Sequence, residues 1–302
     1  MSEYHNPVML RECIEGLAIK ADGIYVDITF GGGGHSKEIL KHLGEKGKLY
    51  AFDQDDEARL NAEAIDNRSF TFIQTNFRNL KKFLRLHGVK KVDGILGDLG
   101  VSSHQINTAE RGFSTRFDGP LDMRMNQKQG VSAADILNTY EERDLHRILG
   151  QYGEVRNAKT LAAALCSERH LAPFKTIEQL LSVLRKFAPR GKENRYFAQV
   201  FQGIRIEVNE EMKALEEMLE QSAEVLNEKG RLVIMSYHSL EDRPVKNFIN
   251  KGKVYGELEK DLYGNVNKPL QAITRKPITA SDNEINENNR ARSAKLRIAE
   301  KI

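Results

Sequence analysis

Short apolar runs alternate with amphipathic stretches over the first hundred residues of the chain. The apolar runs have the length of strands, and the stretches between them repeat apolar residues at helical spacing. The predicted strands are residues 24–30, 48–53, 70–74 and 92–98, and the predicted helices are residues 36–43 and 55–64. This alternation is typical of an α/β fold, in which helices cover a parallel sheet.

After residue 98 the alternation stops, and a loop rich in Ser, Gly, Asp and Arg is followed by helical patterns. The loop is predicted at 100–130, and the helices at 133–149, 158–169 and 176–187. Alternation then returns with a helix for which Asn209 is the predicted N-cap. The last three strands are predicted at 231–237, 270–275 and 294–300. The polar stretch before the final strand is predicted to be a mobile loop.

The pattern therefore predicts a discontinuous α/β domain with an all-helical insertion. The α/β domain comprises residues 1–108 and 205–302 and has a seven-stranded, mostly parallel sheet, while the insertion comprises residues 109–204. Of the 302 residues, 40% are hydrophobic and 29% are charged, and no apolar run has the length of a membrane helix. Charged residues interrupt the first 23 residues, so we expect no signal peptide and a cytoplasmic protein without a membrane partner. The two cysteines and eight histidines show no ligand spacing, so we expect no metal site.

The formal net charge is only +3, but the positive charge is concentrated in the insertion. Residues 109–204 contain 15 Lys or Arg against 11 Asp or Glu. Basic and aromatic residues are interleaved there, which suits a phosphate backbone and stacked bases. The interleaving makes nucleic acid a candidate partner of the insertion, and the alternative is a solvated charged surface. A second basic cluster lies near the carboxyl terminus. The candidate nucleic-acid contacts are Arg111, Phe113, Arg124, Arg190, Lys192, Arg195, Arg290 and Arg292.

Four consecutive glycines, from Gly31 to Gly34, lie between the first predicted strand and the first predicted helix. Glycines there allow close approach of a ligand to the backbone and to the helix amino terminus. Asp53 ends the second predicted strand, where a carboxylate can accept both ribose hydroxyls of an adenosine. The glycines stop before His35, and the bulky Lys37 occupies the later position that a dinucleotide fingerprint keeps small. This spacing favours S-adenosylmethionine over NAD.

Two further motifs follow predicted strands at their carboxyl ends. Asp98 ends the fourth strand, beside the crevice in which an open parallel sheet binds its substrate, and is the candidate catalytic residue. His238 follows the fifth strand and is a weaker candidate for a base, an RNA contact or a loop histidine. A hydrolase triad with Ser239 is disfavoured because the chain has no G-x-S-x-G nucleophile elbow.

These motifs together resemble the bacterial 16S ribosomal RNA cytosine-N4 methyltransferases, which use S-adenosylmethionine and act on the decoding region of the small ribosomal subunit. The resemblance spans almost the whole chain. It rests on residues 5–10, 29–36, 98–103, 110–124, 201–209, 237–243 and 290–297. It departs from the family at Gly97, at Ala198, Gln199 and Val200, where the family often carries an arginine, and at Asn289.

The resemblance implies a Rossmann-like class I methyltransferase fold with an inserted helical subdomain that recognises the RNA substrate. The candidate nucleic-acid contacts would then be contacts to RNA. It also implies methylation of a cytidine in 16S ribosomal RNA to N4-methylcytidine, within the small subunit. The implied cofactor contacts are Gly33, Gly34, His35, Asp53, Phe77, Asp98 and Gln105. The cytosine amine is a weak nucleophile, and we expect Asp98, with the carbonyl of Leu99 or Gly100, to accept its N–H.

Three other functions share parts of this pattern. The chain could methylate another RNA, a small molecule or a protein on the same fold, or it could be a dehydrogenase. From a different class, it could be a non-catalytic RNA-binding factor of ribosome assembly that has kept the cofactor fold. Gly33, Gly34, Asp53 and Asp98 are all present, which argues against a degenerate site.

Overall fold

A computed structural model of the chain describes residues 7–258, 260, 264 and 266–302. The chain divides into two compact units, of which the first comprises Met1–Gly100 and Met212–Ile302 and the second Val101–Glu211. The strands of the first unit are β1 (Ile24–Asp27), β2 (Lys48–Asp53), β3 (Phe70–Gln74), β4 (Val92–Asp98), β5 (Leu226–Ser236), β6 (Leu270–Ala272) and β7 (Lys295–Lys301). They form one seven-stranded sheet in the order β3-β2-β1-β4-β5-β7-β6.

Strands β1 to β5 run parallel, and β7 is antiparallel to both of its neighbours. The predicted seven-stranded, mostly parallel sheet is therefore confirmed. The register pairs Asp27 with Leu96 and Asp98 with Met235, so the carboxyl ends of β1, β4 and β5 lie at one edge. In an α/β sheet this edge is where ligands bind.

Helices are found in both units. Those of the first unit are α1 (Leu10–Leu17), α2 (Gly34–His42), α3 (Asp56–Glu63), α4 (Leu80–Leu86), α11 (Glu211–Val225, whose first residue ends the second unit), α12 (Ser239–Lys251) and α13 (Asp282–Glu287). Those of the second unit are α5 (Ser103–Asn107), α6 (Ala133–Thr139), α7 (Glu142–Arg147), α8 (Ala158–Leu171), α9 (Ile177–Phe187) and α10 (Glu193–Val208). Among the described residues, none of these helices is both long and apolar enough to cross a membrane.

Alternate residues of the central strands enter two different cores, because side chains along a strand point to opposite faces. On one face, Ile95 packs in a cluster with residues of α11 and α12, such as Met218 and Phe248. On the other face, Leu96 packs in a cluster that includes Cys13 of α1 and Ile39 of α2. Burial on both faces explains why β4 carries no charged residue between Asp93 and Asp98. The second unit has a separate core, formed by apolar residues of α6 to α10.

Several boundaries differ from the sequence-based prediction. The predicted junction between residues 204 and 205 falls inside α10, which is one continuous helix. The Asn209 prediction was wrong: this residue ends α10, and its Nδ2 donates to the Arg205 carbonyl at 2.9 Å instead of capping the next helix. The predicted helix at 133–149 is divided into α6, α7 and a π-helical turn, Ile148–Tyr152.

Two segments predicted as loops contain helical structure. The segment at 100–130 includes α5 and a 3-10 turn, Ala109–Arg111. The polar stretch before β7, which was predicted as a mobile loop, contains α13 and a second 3-10 turn, Asn289–Ser293, so the loop assignment was wrong. Ser281 caps α13 by accepting from the Glu284 N–H, and Glu284 Oε1 accepts from the Met9 N–H at 2.6 Å. The polar side chains of this stretch are thus used in hydrogen bonds that fix its backbone.

Candidate active site

The glycine loop between β1 and α2 is bound to the end of β2 through Asp53. The Gly31 N–H donates to Asp53 Oδ2 at 2.8 Å, and the Asp55 N–H donates to Asp53 Oδ1 at 3.0 Å. Gly31 and Gly33 have φ values of +51° and +77°, which favour glycine over other residues. Gly33 precedes α2 without a side-chain cap, so the first N–H groups of this nine-residue helix are available to a ligand.

Asp27, at the end of β1, connects the glycine loop to the neighbouring strand. Its buried carboxylate accepts from Ser36 Oγ at 2.7 Å and from the Thr29 N–H at 3.0 Å. Thr29 Oγ1 in turn accepts from the Asp98 N–H at 2.6 Å. These bonds fix the start of α2 and the end of β4 at the same edge. Asp27 was within the predicted motif, but the sequence assigned it no role.

Asp98 lies at this edge as predicted, and its carboxylate is hydrogen-bonded to a residue of the adjacent strand end. The Tyr237 hydroxyl donates to Asp98 Oδ1 at 2.7 Å. A Cβ placed on Gly100 would be 3.8 Å from the Tyr237 ring, so Gly100 also lies close to Tyr237. Sequence reasoning missed Tyr237, because no local pattern signals a bond between residues 139 positions apart.

The residues after β5 form a second short network. Glu241, whose side chain is only 3% exposed, accepts from the Tyr237 N–H at 2.9 Å. Its other oxygen, Oε1, is 3.2 Å from Nε2 of His238. His238 therefore lies at the carboxyl end of β5, as predicted, and is oriented by a buried carboxylate at the first turn of α12.

The other predicted cofactor residues occupy different positions. The His35 ring is buried, and its Nε2 is 3.1 Å from the Val8 carbonyl, so this side chain holds the amino-terminal segment. Its contact with a cofactor would come from the backbone at the start of α2. Phe77 is half-buried and begins a 3-10 turn after β3. Gln105 belongs to the second unit, where it is buried and completes a capping box with Ser102.

Three carboxylates with raised pKa values meet at this edge. Burial raises the pKa of Asp53 to about 6, and the nearby negative charge of Asp27 adds to this effect. Burial also raises the pKa of Asp27 and of Asp98. His35, the Tyr237 hydrogen bond and the positive charge of Arg290 act in the opposite direction on the pKa of Asp98. Clustered carboxylates attract a cationic ligand and repel an anionic one.

The predicted RNA contacts of the second unit differ in accessibility. Arg111 is buried, and its Nη2 donates to the carbonyls of Arg124 and Met125 at 3.0 and 3.1 Å. Arg124 forms a two-bond ion pair with Asp122. These placements disfavour the predicted RNA contact of Arg111 and give it the role of holding the loop. Phe113 is half-buried against the core of the unit.

The basic residues before and within α10 are accessible. Arg190, Lys192 and Arg195 are all exposed, as is Arg292 in the first unit. Arg290 is half-buried, and its positive charge acts on Asp98 and Tyr237. Within the described part of the chain, no group of three or more His, Cys, Asp or Glu side chains could hold a metal ion.

Comparison with known proteins identifies relatives along the full length of the chain. It is 62% identical over 298 residues to a protein of Cytophaga hutchinsonii named ribosomal RNA small subunit methyltransferase H, with 99% of each chain covered. A Flavobacterium johnsoniae protein of the same name is 57% identical over 300 residues, covering 99% of this chain and 98% of its own. Among solved structures, an rRNA methylase from Streptococcus thermophilus has a TM-score of 0.40 and 13% identity, with 97% and 93% of the chains covered. The model of the MraW methylase family matches residues 2–302. With these matches along its length, the chain belongs to the MraW methylase family, whose members are S-adenosylmethionine-dependent methyltransferases.

Proposed function

We propose that this protein transfers a methyl group from S-adenosylmethionine to the N4 amine of a cytidine in 16S ribosomal RNA, within the small ribosomal subunit. The observation that carries the proposal is the position of Asp98. Its carboxylate lies at the end of β4, beside the glycine loop, and Tyr237 holds one of its oxygens. The full-length relatives are named as methyltransferases of small-subunit ribosomal RNA, which supports the substrate class.

The residues of this edge suit the charge and the hydrogen-bonding groups of S-adenosylmethionine. Asp53 would accept the ribose hydroxyls, and the backbone of Gly33, Gly34 and His35 would meet the carboxylate end of the cofactor at the amino terminus of α2. The sulfonium and ammonium groups are cationic, which suits the cluster formed by Asp27, Asp53 and Asp98. NAD would instead bring an anionic pyrophosphate to three carboxylates. The charge of the site therefore supports the choice of cofactor that the glycine spacing favoured.

When bound, S-adenosylmethionine supplies an activated methyl group whose bond to sulfur breaks with its electron pair remaining on the sulfur. The task of the protein is to hold the acceptor nitrogen in line with that bond. Asp98 and the backbone carbonyl of Leu99 or Gly100 would accept the N–H bonds of the cytosine amine and direct its lone pair. After transfer, the new N–CH₃ nitrogen releases one proton, which Asp98 or water accepts. No protein nucleophile is required.

The acceptor base must leave its stack to reach Asp98, and the exposed cations of the second unit provide contacts for the RNA backbone. Arg190, Lys192 and Arg195 precede or begin α10 and are exposed. We assign phosphate contacts to them and to Arg292, while Phe113 and His238 are the candidates for supporting the flipped base. A ribosomal substrate also implies a cytoplasmic location.

The experiment uses S-adenosylmethionine with an isotopically labelled methyl group and small ribosomal subunits from cells that lack this methylation. After incubation, the RNA is digested to nucleosides and analysed by mass spectrometry. Label in N4-methylcytidine is expected for the native protein, and its loss is expected for Asp98→Asn. Naked 16S ribosomal RNA serves as the parallel substrate, and a much weaker signal from it supports the assembled subunit.

Label in another nucleoside would refute the acceptor assignment while leaving the cofactor assignment intact. Absence of label despite tight binding of S-adenosylmethionine would favour a non-catalytic RNA-binding factor. Full activity of Asp98→Asn would refute the role of this carboxylate.

A further inference from the structure

We propose that Tyr237 is a positioning residue for methyl transfer. Its hydroxyl donates a hydrogen bond to Oδ1 of Asp98, which fixes the plane of the carboxylate and leaves Oδ2 to accept from the acceptor amine. This inference rests on the proposed function, in which Asp98 accepts the N–H of cytosine. It adds a residue that neither the sequence motif nor the cofactor contacts had assigned.

The first support is the geometry of the carboxylate. The Tyr237 hydroxyl donates to Oδ1 at 2.7 Å, a short distance for an O–H to carboxylate bond. Among the described residues, the Asp98 carboxylate forms a hydrogen bond only with Tyr237. The backbone of Asp98 is held separately, because its N–H donates to Thr29 Oγ1 at 2.6 Å. With the main chain and one oxygen both fixed, the remaining oxygen has a defined direction.

The second support is that Tyr237 is itself held. Its backbone N–H donates to Oε2 of the buried Glu241 at 2.9 Å, and its ring packs partly against the core on the α1 and α2 side of the sheet. A tyrosine that is fixed at its backbone and along its ring can impose an orientation on its partner. A mobile surface tyrosine could not do this.

The third support is the chemistry required at Asp98. A phenol hydroxyl that donates to a carboxylate stabilises the ionised form, which is the form that accepts an N–H. The other groups that face Asp98 are His35 of α2 and Arg290 of the second 3-10 turn, which favour ionisation, and Asp27 at the end of β1, which opposes it. Cys13 of α1 also faces this carboxylate. Without the Tyr237 hydroxyl, burial raises the pKa of Asp98 further. A protonated carboxyl group would then present an O–H donor to the amine, where the reaction needs an acceptor.

The test is Tyr237→Phe, which keeps the ring and removes only the hydroxyl. We expect kcat to fall about tenfold to a hundredfold, the range that corresponds to loss of one hydrogen bond to a charged group. We expect KM for S-adenosylmethionine to change far less. The acid side of the kcat profile against pH should move to higher pH, because Asp98 takes up a proton more readily. A purely structural role of Tyr237 would not move this profile.

Tyr25→Phe is the matched control. Tyr25 is a buried tyrosine of β1 whose hydroxyl accepts from the Lys20 N–H at 2.7 Å, so this variant also loses one tyrosine hydrogen bond within the first unit. It should lower stability without moving the pH profile. Circular dichroism and the thermal midpoint establish that both variants are folded.

A second measurement does not depend on activity. Protein labelled with ¹³C at the aspartate side chains is titrated by NMR, and the Asp98 resonance is identified by its absence in Asp98→Asn. We expect its midpoint to rise in Tyr237→Phe and to stay unchanged in Tyr25→Phe. An unchanged midpoint together with native kcat would overturn the inference. If the native protein labels no cytidine, the proposed function fails, whereas the NMR titration still decides whether Tyr237 controls Asp98.

Discussion

Asp53→Asn should make the protein more stable at neutral pH while weakening its affinity for S-adenosylmethionine. Asp53 is half-buried, and the desolvation of its carboxylate raises the pKa from 3.8 to about 6 in the folded chain. The folded state therefore holds this proton more tightly than the unfolded state, and the associated stability is lost as the pH rises through 6. A shift of this size corresponds to about 3 kcal/mol between strongly acid and neutral pH.

Unfolding is measured above the pKa that Asp53 has in the unfolded chain, so only part of this contribution of about 3 kcal/mol can be observed. Between pH 5 and pH 8 the native protein should lose about 1.4 kcal/mol of stability through Asp53, and Asp53→Asn should lose none of this. The variant also gives up one good acceptor for the Gly31 or Asp55 N–H, which costs about 1 kcal/mol at either pH. The quantity to compare is therefore the difference in the free energy of unfolding between Asp53→Asn and the native protein, measured at pH 5 and again at pH 8.

The assay is urea unfolding without cofactor, followed by circular dichroism at pH 5 and pH 8. Asp66→Asn, at an exposed position after α3, is the matched control and should show the native pH dependence. Calorimetry with S-adenosylmethionine should show at least a tenfold loss of affinity for Asp53→Asn, because the ribose loses an ionised acceptor. A mutational effect on stability that is equal at the two pH values would refute the link between burial and the raised pKa.

Three further predictions address other parts of the structure. Gly33→Ala should abolish cofactor binding in calorimetry and destabilise the protein by about 1 to 3 kcal/mol, because φ of Gly33 is +77° and a Cβ there would lie 2.7 Å from the Phe30 ring. Cofactor binding at the native level would contradict this. Asp242→Ala should lower the free energy of unfolding by about 3 kcal/mol in urea, because it leaves the largely buried Arg297 guanidinium without its two-bond partner; a loss below 1 kcal/mol would argue against it. Arg195→Gln should reduce the slope of log affinity against log salt for small subunits by about 0.9, with unchanged cofactor affinity, if this exposed cation contacts a phosphate.

The sheet could be predicted closely where burial alone determines the strand. The predicted and observed bounds agree for β2, β3 and β4, because each is an apolar run that ends at a polar residue. Strand β5 begins earlier than expected, at Leu226, because that residue pairs with Val92 ahead of an irregularity in the β4 register. Such pairing depends on the partner strand and leaves no local pattern.

The helix boundaries near the unit junction could not be predicted, because side-chain partners decide them. Asn209 is of a residue type that often caps the amino terminus of a helix. In the structure its amide donates to the Met123 and Arg205 carbonyls, and its Oδ1 accepts from the Met125 N–H. Helix α10 was not predicted, and the interleaved basic and aromatic residues before and at its start were interpreted as suiting a phosphate backbone and stacked bases. The aromatic residues among them, Tyr196 and Phe197, are buried in the core of the second unit.

The candidate site was predictable where a functional residue ends a strand. Asp53 and Asp98 were found in this way, and the structure brings both to the edge where the glycine loop begins α2. The contributions of Asp27 and Tyr237 were not predictable, because each depends on a tertiary hydrogen bond. The RNA contact of Arg111 stays a prediction, and the sequence does not reveal that its guanidinium donates to two loop carbonyls.

The insertion of the second unit between β4 and β5 in the chain has a consequence for the folding rate. These strands are hydrogen-bonded neighbours in the sheet, yet the whole second unit separates them along the chain. The entropy of closing so long a connection is lost before the strands gain their contacts, whereas the helices of the second unit form through local contacts. We expect the second unit to fold first during refolding, with the β4–β5 pairing as the late step. Variants that weaken this pairing should then speed unfolding more than they slow folding.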